Sequence, residues 1–375
     1  MRVALISLGK SLNYGGSLQS YALVYAINKY KKGVFCEYLD YHRNVCKDAV
    51  IWFSRKVGYW IMGRDDSPSW TIKEFFEIIC TRSKAGSSSS AKEFRKFWQL
   101  TDYTRKLGRT DLRKIENNYD FFVIGSDQVW NCGRLNLDTT YLLDFVRDKR
   151  KKGCYAPSVA MKQIPEKYKK QYYRYWNEFE YLSCREQEGA RLIEDMTDHK
   201  VECVLDPTLL LHREDWESVA DISDVPRNEK YLLLYMMSES KSLVRFAEKL
   251  AKRKNIEIVK IYGDIQKNSA IGPKQWLGYF LNAEYVVTNS FHGVAFSINF
   301  NKNFYAEITP KAFFVASSSR IIDFLEELGL KNRLLNDTKE NEIEKAEDIE
   351  YVQVNKKLEA MREKSVRYLL NMLGD

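Results

Sequence analysis

The stretch VVTNSFHGVAFSINF, residues 286–300, decides how the chain is read. Val286 and Val287, with Tyr285 before them, form a short apolar run of the kind that builds a buried strand. Val294, Ala295, Phe296 and Ile298 fall at helical spacing. Asn289, Ser290, His292 and Gly293 lie at the corner between the two runs. A strand that turns directly into a helix is half of a βα unit, and the same pattern recurs around it. Strands are expected at 231–236, 256–262, 285–288 and 303–308, with helices at 240–252, 273–281 and 292–300. Such alternation predicts a parallel sheet covered by helices.

The pattern also runs upstream. Residues 3–8 read as a first strand, 10–16 as a loop and 17–31 as a helix with Leu18, Tyr21, Ala22, Tyr25 and Ala26 on one face. Further strands are expected at 35–41, within YDFFVIGSDQVW (119–130), at 153–160, and in the runs leading to Arg185 and to Asp206-Pro207. A long aromatic helix is expected at 166–180. Residues 42–118 look helical in pieces, and SKAGSSSSAK (83–92) reads as a low-complexity loop. The polar stretch 220–230, with Pro226, reads as a linker between two α/β halves. Val354, Leu358, Met361, Leu369 and Met372 recur at helical spacing after the second half is complete. That last helix is expected to pack back across the interdomain region.

Composition bounds the rest. With 45% hydrophobic residues and 14% aromatics, 375 residues suffice for two globular domains. The net charge of +8 is spread along the chain, with runs at 29–32, 147–152 and 167–170. It reads as a solvated surface, or as attraction to an acidic small molecule or an anionic membrane face. No nucleic-acid-binding motif accompanies it, so nucleic acid is not expected as a partner. Seven cysteines without a CxxC pair suggest neither a zinc site nor a disulfide framework, and fit reduced thiols in the cytoplasm. No apolar run is long enough to span a bilayer, and the N-terminus reads as a strand rather than a signal peptide.

Ligand sites in open parallel sheets lie at the C-terminal ends of the strands. Here those ends carry Asn13–Gly16, Gly125–Gln128, Arg185, Asp206, Gly263 and Asn289–His292. A helix beginning after Ser290 offers free N–H groups and a positive dipole end, which favour an anion. An imidazole beside it is suited to exchange a proton near neutral pH. Each residue also has a plainer reading: His292 as a corner residue, Asp206-Pro207 and Gly-Ser-Asp as turns, Asn-Tyr-Gly-Gly as a loop. Arg185, leaving an apolar strand, needs an anionic partner, which is a ligand or a structural carboxylate.

Taken together, NYGGSLQSYAL (13–23), FFVIGSDQVWN (121–131), YAPSVA (155–160), SCREQEG (183–189), VLDPTLLL (204–211), AEYVVTNSFHGVAFSINFNKNF (283–304) and SSRIIDFLEELGL (318–330) resemble the polysaccharide pyruvyl transferase family. The resemblance implies a glycosyltransferase-B-like fold of two Rossmann-like domains facing across a cleft. Its domains would be 1–220 on the acceptor side, 221–335 on the phosphoenolpyruvate side, and a returning segment 336–375. It implies transfer of the enolpyruvyl group of phosphoenolpyruvate to two hydroxyls of one sugar, giving a cyclic ketal and phosphate. The acceptor would be a cell-surface polysaccharide or its lipid-linked precursor. On this reading His292 is the acid/base, Arg185 the first cation for the donor, and Asp127 either a base for the sugar hydroxyl or a helix cap. Ser290, Asn289, Gly263, Lys311 and Arg320 would line the donor side. Asn13, Tyr14, Gly15 and Gln128 would line the acceptor side. No metal and no cofactor is expected, phosphoenolpyruvate being a co-substrate. The protein would work in the cytoplasm, with the inner membrane face as a peripheral contact. Two competing readings are a nucleotide-sugar-dependent glycosyltransferase of the same fold and a non-catalytic polysaccharide assembly protein.

Overall fold

The computed structural model describes residues 1–42, 86–132, 137–226, 229–308, 315–335 and 348–374, the side chains of 315–319 excepted. Four strands, β1 (Arg2–Ile6), β2 (Phe35–Tyr38), β3 (Phe121–Ile124) and β4 (Lys152–Cys154), form a parallel sheet in the order β2-β1-β3-β4. The pair β5 (Ser183–Cys184) and β6 (Glu202–Cys203) continues it, because Cys154 N–H donates to the Tyr181 carbonyl at 3.2 Å. A second parallel sheet holds β7 (Tyr231–Met236), β8 (Glu257–Tyr262), β9 (Tyr285–Thr288) and β10 (Asn303–Ala306) in the order β10-β9-β7-β8. The fold is α/β with two Rossmann-like parallel sheets, the layout implied by the alternating pattern.

In each sheet the chain order reverses beside the first strand, between β1 and β3 and between β7 and β9. Such switch points open a crevice at the strand ends, where connections diverge to opposite faces. Helix α1 (Tyr14–Tyr30) carries the contact between the halves. Its small residues, among them Gly15, Gly16, Ser17, Ser20, Ala22 and Ala26, let it be buried nearly all round. It begins three residues earlier than the apolar pattern indicates, because Asn13 caps it: the Asn13 side chain accepts from Gly16 N–H at 2.9 Å.

The segment read as the loop 83–92 is, from Ser89 onward, the start of helix α2 (Ser89–Trp98), capped by the Ser88 hydroxyl on Ala91 N–H. Residues 83–85 lie outside the described residues. Low complexity hid the cap, whereas Ala91, Phe94 and Phe97 form a buried face. Ser90 and Ser89 reach the second half, taking N–H donors from Ile271 and Ala270. The strand expected at 153–160 is only three residues long. Beyond it Ala156 and Ala160 adopt positive φ, which a strand does not allow.

The linker lies on helix α6 (Pro273–Asn282), with Asp221 N–H on the Lys274 carbonyl and Gln275 Nε2 on the Asp221 carboxylate at 2.9 Å. For continuity, helices α3 (Glu166–Trp176), α4 (Gln187–Glu194) and α5 (Lys241–Lys254) flank the sheets, and α7 (Phe291–Asn299) follows β9. Helix α8 (Val315–Leu328) leads to the last helix, α9 (Tyr351–Met372). Helix α9 crosses the two halves, as its apolar spacing implied. Near its start Tyr351 donates to the Lys302 carbonyl; farther on, Arg362 Nε donates to Leu209 O at 2.8 Å and Tyr368 to Cys154 O at 2.9 Å. No helix of the described residues is long and apolar enough to cross a membrane.

Candidate active site

The two switch points meet at His292. It is the second residue of α7, directly after β9, and its imidazole packs on the start of α1. A Cβ added to Gly15 would lie 2.1 Å from His292 Nδ1, so only glycine permits this approach. The ring is 14% exposed and stands edge-on to Phe291, with centroids 5.4 Å apart. Its Nε2 has no hydrogen-bond partner and lies 3.8 Å from Asp206 Oδ2.

Asp206 and Arg185 reach the same point from adjacent parallel strands. Arg185 follows β5 and Asp206 lies three residues beyond β6. Arg185 Nη1 donates to Asp206 Oδ2 at 2.6 Å, and both side chains are almost wholly buried. Ser126 Oγ donates to the same oxygen at 3.3 Å, while Asp206 Oδ1 accepts from Thr208 N–H and Thr208 Oγ1. The carboxylate oxygens are thus divided between a turn and a guanidinium. Burial alone pushes the Asp206 pKa up, but Arg185, then His292 and the Thr208 hydrogen bonds, hold it below the usual carboxylate range. Burial lowers the His292 pKa; Asp206 pulls upward, Arg185 downward, and the net direction is down.

Asp127 faces the cluster from the end of β3. Its φ of 74° places it in the left-handed region, an uncommon backbone state for a side-chain-bearing residue. The turn holds because Asp127 Oδ1 accepts from Gln128 N–H at 2.8 Å and the Asp127 carbonyl accepts from Val129 and Ser158. The carboxylate lies near the N-terminus of α1 and 3.8 Å from Arg185 Nη2.

A cavity of about 100 Å³ extends from Arg185 and Asp206 to α8 and α9. Phe291 stands in its wall with two guanidiniums over its ring, Arg185 at 5.2 Å and Arg320 at 5.6 Å. The Nε atoms of both arginines and Glu186 Oε2 are buried without a partner. Such atoms are costly to leave unpaired in a folded protein and are suited to receive a small anionic, hydroxylated molecule.

The other sequence candidates are more scattered. Tyr14 is fully buried, and its hydroxyl donates to Ile271 O at 2.9 Å and accepts from Asn268, so it ties the two halves together. Asn13 spends its side-chain oxygen on the cap of α1. Asn289 bridges β9 to β7, accepting from Met237 N–H and donating to Ser238 O, both at 2.8 Å. Ser290 is buried and caps α7 through Gly293 N–H. Gly263 packs against Met237 at the end of β8. Gln128 is half-buried beside Asp127, and Lys311 lies outside the described residues. The strand-end rule counted Ser126, Asp206 and Phe291 among the residues that could face the cleft but gave them no role, with a turn as the plainer reading of Asp206, and Glu186 was not singled out. Among the described residues no group of His, Cys, Asp or Glu converges in a metal-holding arrangement.

Gly15→Ala is expected to displace the imidazole and, on the acid/base reading of His292, to lower turnover by roughly 100-fold, the scale of an ångström-sized misplacement of a reacting group. The check is the rate of the purified variant beside its thermal melt. A full rate with an unchanged melt would show that the contact between α1 and His292 is dispensable.

Likeness to known proteins gives the family. The protein resembles solved structures of UDP-GlcNAc 2-epimerase from Methanocaldococcus jannaschii (TM-score 0.47, 10% identity, 100% of this chain and 99% of that one covered). It also resembles the UDP-GlcNAc 2-epimerase of Neisseria meningitidis (0.46, 9%, 99% and 100%) and the wall teichoic acid polymerase TagF (0.44, 10%, 98% and 82%). No curated protein matches the chain. The layout itself rests on the two parallel sheets and the crossing helix. The family model described as polysaccharide pyruvyl transferase matches residues 13–306, a span that begins at the Asn13 cap, includes Arg185, Asp206 and His292, and ends with β10; the chain belongs to that family.

Proposed function

We propose that the protein transfers the enolpyruvyl group of phosphoenolpyruvate to two hydroxyls of one sugar, in a cell-surface polysaccharide or its lipid-linked precursor. The observation that carries this reading is the meeting of a buried imidazole with an unpartnered Nε2 and a buried guanidinium at the facing switch points of a family transferase. The chemistry needs a proton donor at C3 of the enol and cations for a carboxylate and a phosphate. Protonated His292 gives its proton to C3, and positive charge develops at C2. A sugar hydroxyl adds to C2 and its proton passes to Asp127 or to the now neutral His292. The C2–O bond to phosphate breaks, the second hydroxyl adds to C2, and the ring closes as inorganic phosphate departs with the remaining proton. Arg185 and Arg320, through their unpartnered Nε–H groups, hold the donor's anionic groups, and the N–H groups opening α7 add to that field.

The test is phosphate release from phosphoenolpyruvate with a panel of galactosides and amino-sugar glycosides. Acceptor-dependent release with a ketal on the product is the expected result. Binding of a nucleoside diphosphate with none of phosphoenolpyruvate would put a glycosyltransferase in its place.

A further inference from the structure

We propose that Asp206 is the positioning residue of this site: through one carboxylate oxygen it fixes the Arg185 guanidinium and sets the proton affinity of His292. The inference rests on the reading of His292 as the acid/base. Its geometry stands apart from that reading. Asp206 begins a one-turn 3-10 helix, Pro207–Leu209, and caps it with Oδ1 alone, on Thr208 N–H at 3.0 Å and Thr208 Oγ1 at 2.7 Å. A cap needs no more than that. The second oxygen is surplus to the turn, and it stands 2.6 Å from Arg185 Nη1, 3.3 Å from Ser126 Oγ and 3.8 Å from His292 Nε2.

The two contacts do different things. By taking Nη1, Asp206 holds the planar guanidinium in one orientation, which leaves its Nε without a protein partner. By lying against Nε2, it offers a negative charge that offsets part of what burial costs the protonated imidazole. The charged groups facing His292 come from three elements: Asp206 after β6, Arg185 after β5 and Asp127 after β3. Helix α1 presents the backbone of Gly15, which carries no charge, to the ring, and α7 presents Phe291. Asp206 is therefore the anion nearest to Nε2, with Arg185 opposing it. Removing its charge leaves Arg185 in command of the local field and makes His292 harder to protonate.

The experiment is the pH titration of the histidine ring signals by NMR in the wild-type protein and in Asp206→Asn. The His292 signal is identified by its loss in His292→Gln. In Asp206→Asn the His292 midpoint is expected to fall by about one pH unit or more, while the other three histidines hold their positions. Affinity for phosphoenolpyruvate, measured by calorimetry, falls by about tenfold. Asp206→Glu, which keeps the charge, returns the midpoint toward that of the wild type. If Asp206→Asn does not fold, Ser126→Ala serves, since it removes a donor to Oδ2 at 3.3 Å, and with it a long contact to Arg185 Nη1 at 3.5 Å, and so strengthens that oxygen's pull. It is expected to raise the His292 midpoint by a few tenths. A folded variant with the wild-type midpoint overturns the proposal and leaves Asp206 as a cap. The titration needs no turnover. A shifted midpoint with no phosphate release from phosphoenolpyruvate in the presence of any acceptor supports the positioning role and sinks the proposed reaction instead.

Discussion

His292→Gln is expected to lower acceptor-dependent phosphate release from phosphoenolpyruvate by about 10²–10⁴-fold, the usual worth of a positioned general acid or base. Glutamine occupies a similar volume and can hydrogen-bond, but it cannot carry the proton to C3. The site is built to hold an imidazole rather than any polar group. Gly15 admits the ring on one side, Phe291 meets it edge-on, and Asp206 stands off Nε2. Because burial outweighs the pull of Asp206, the ring favours its neutral form, and phosphate release falls as pH rises through its pKa. The Gln variant's residual rate lacks that limb. Stability moves in a related way. A histidine whose folded pKa is depressed binds fewer protons folded than unfolded just below about pH 6.5, so its contribution is present above that value. It is lost as pH falls through the folded pKa. Urea midpoints at neutral and mildly acidic pH are therefore expected to differ less in His292→Gln than in the wild type. A Gln variant that retains the wild-type rate and pH profile would move the acid/base elsewhere.

The strands of the second sheet were legible because each is a short apolar run ended by polar or glycine residues. Tyr231–Met236 and Tyr285–Thr288 fall where the pattern puts them. The strand-end rule likewise led to Arg185, Asp127 and His292 without any knowledge of contacts. What the pattern lacked was partnership across distance. Arg185 and Asp206 are 21 residues apart and meet because β5 and β6 pair in parallel, each followed by a charged residue. That signal, two short strands each leading to opposite charges, was present in the sequence but depended on knowing that the strands are neighbours. Tyr14 was misleading for the same reason: its partner carbonyl, Ile271, is 257 residues away. Nothing in the sequence indicates that Phe291 lies under two guanidiniums, since one comes from the first half and the other from α8.

Arg185→Met is expected to cost about 3–5 kcal/mol of stability, the usual penalty for leaving a buried charge without its partner. Asp206 keeps its Thr208 hydrogen bonds in that variant, but Oδ2 loses its guanidinium in a place closed to water. With Arg185 gone, the largest of the influences that hold the Asp206 pKa down is lost, and its pKa moves upward. The pH dependence that Asp206 contributes is then expected to weaken. In the wild type the depressed carboxylate contributes stability above about pH 3.9 that is lost on acidification. In Arg185→Met, protonating the orphaned carboxylate relieves the penalty, so the gap between the two proteins narrows as pH falls. The double variant Arg185→Met/Asp206→Leu removes both charges and recovers most of the loss, because a buried ion pair and a packed apolar pair are often near-equivalent in stability. On the proposed reaction it is expected to recover no phosphate release, since neither the donor's anionic groups nor His292 then has its charged neighbour. Denaturation of the two single variants and the double gives the coupling directly. Arg185→Met losing less than about 1 kcal/mol at neutral pH would mean that Asp206 does not depend on the guanidinium for its charge. In that case the pair would owe its presence to the anion that Arg185 is there to meet, and not to the fold.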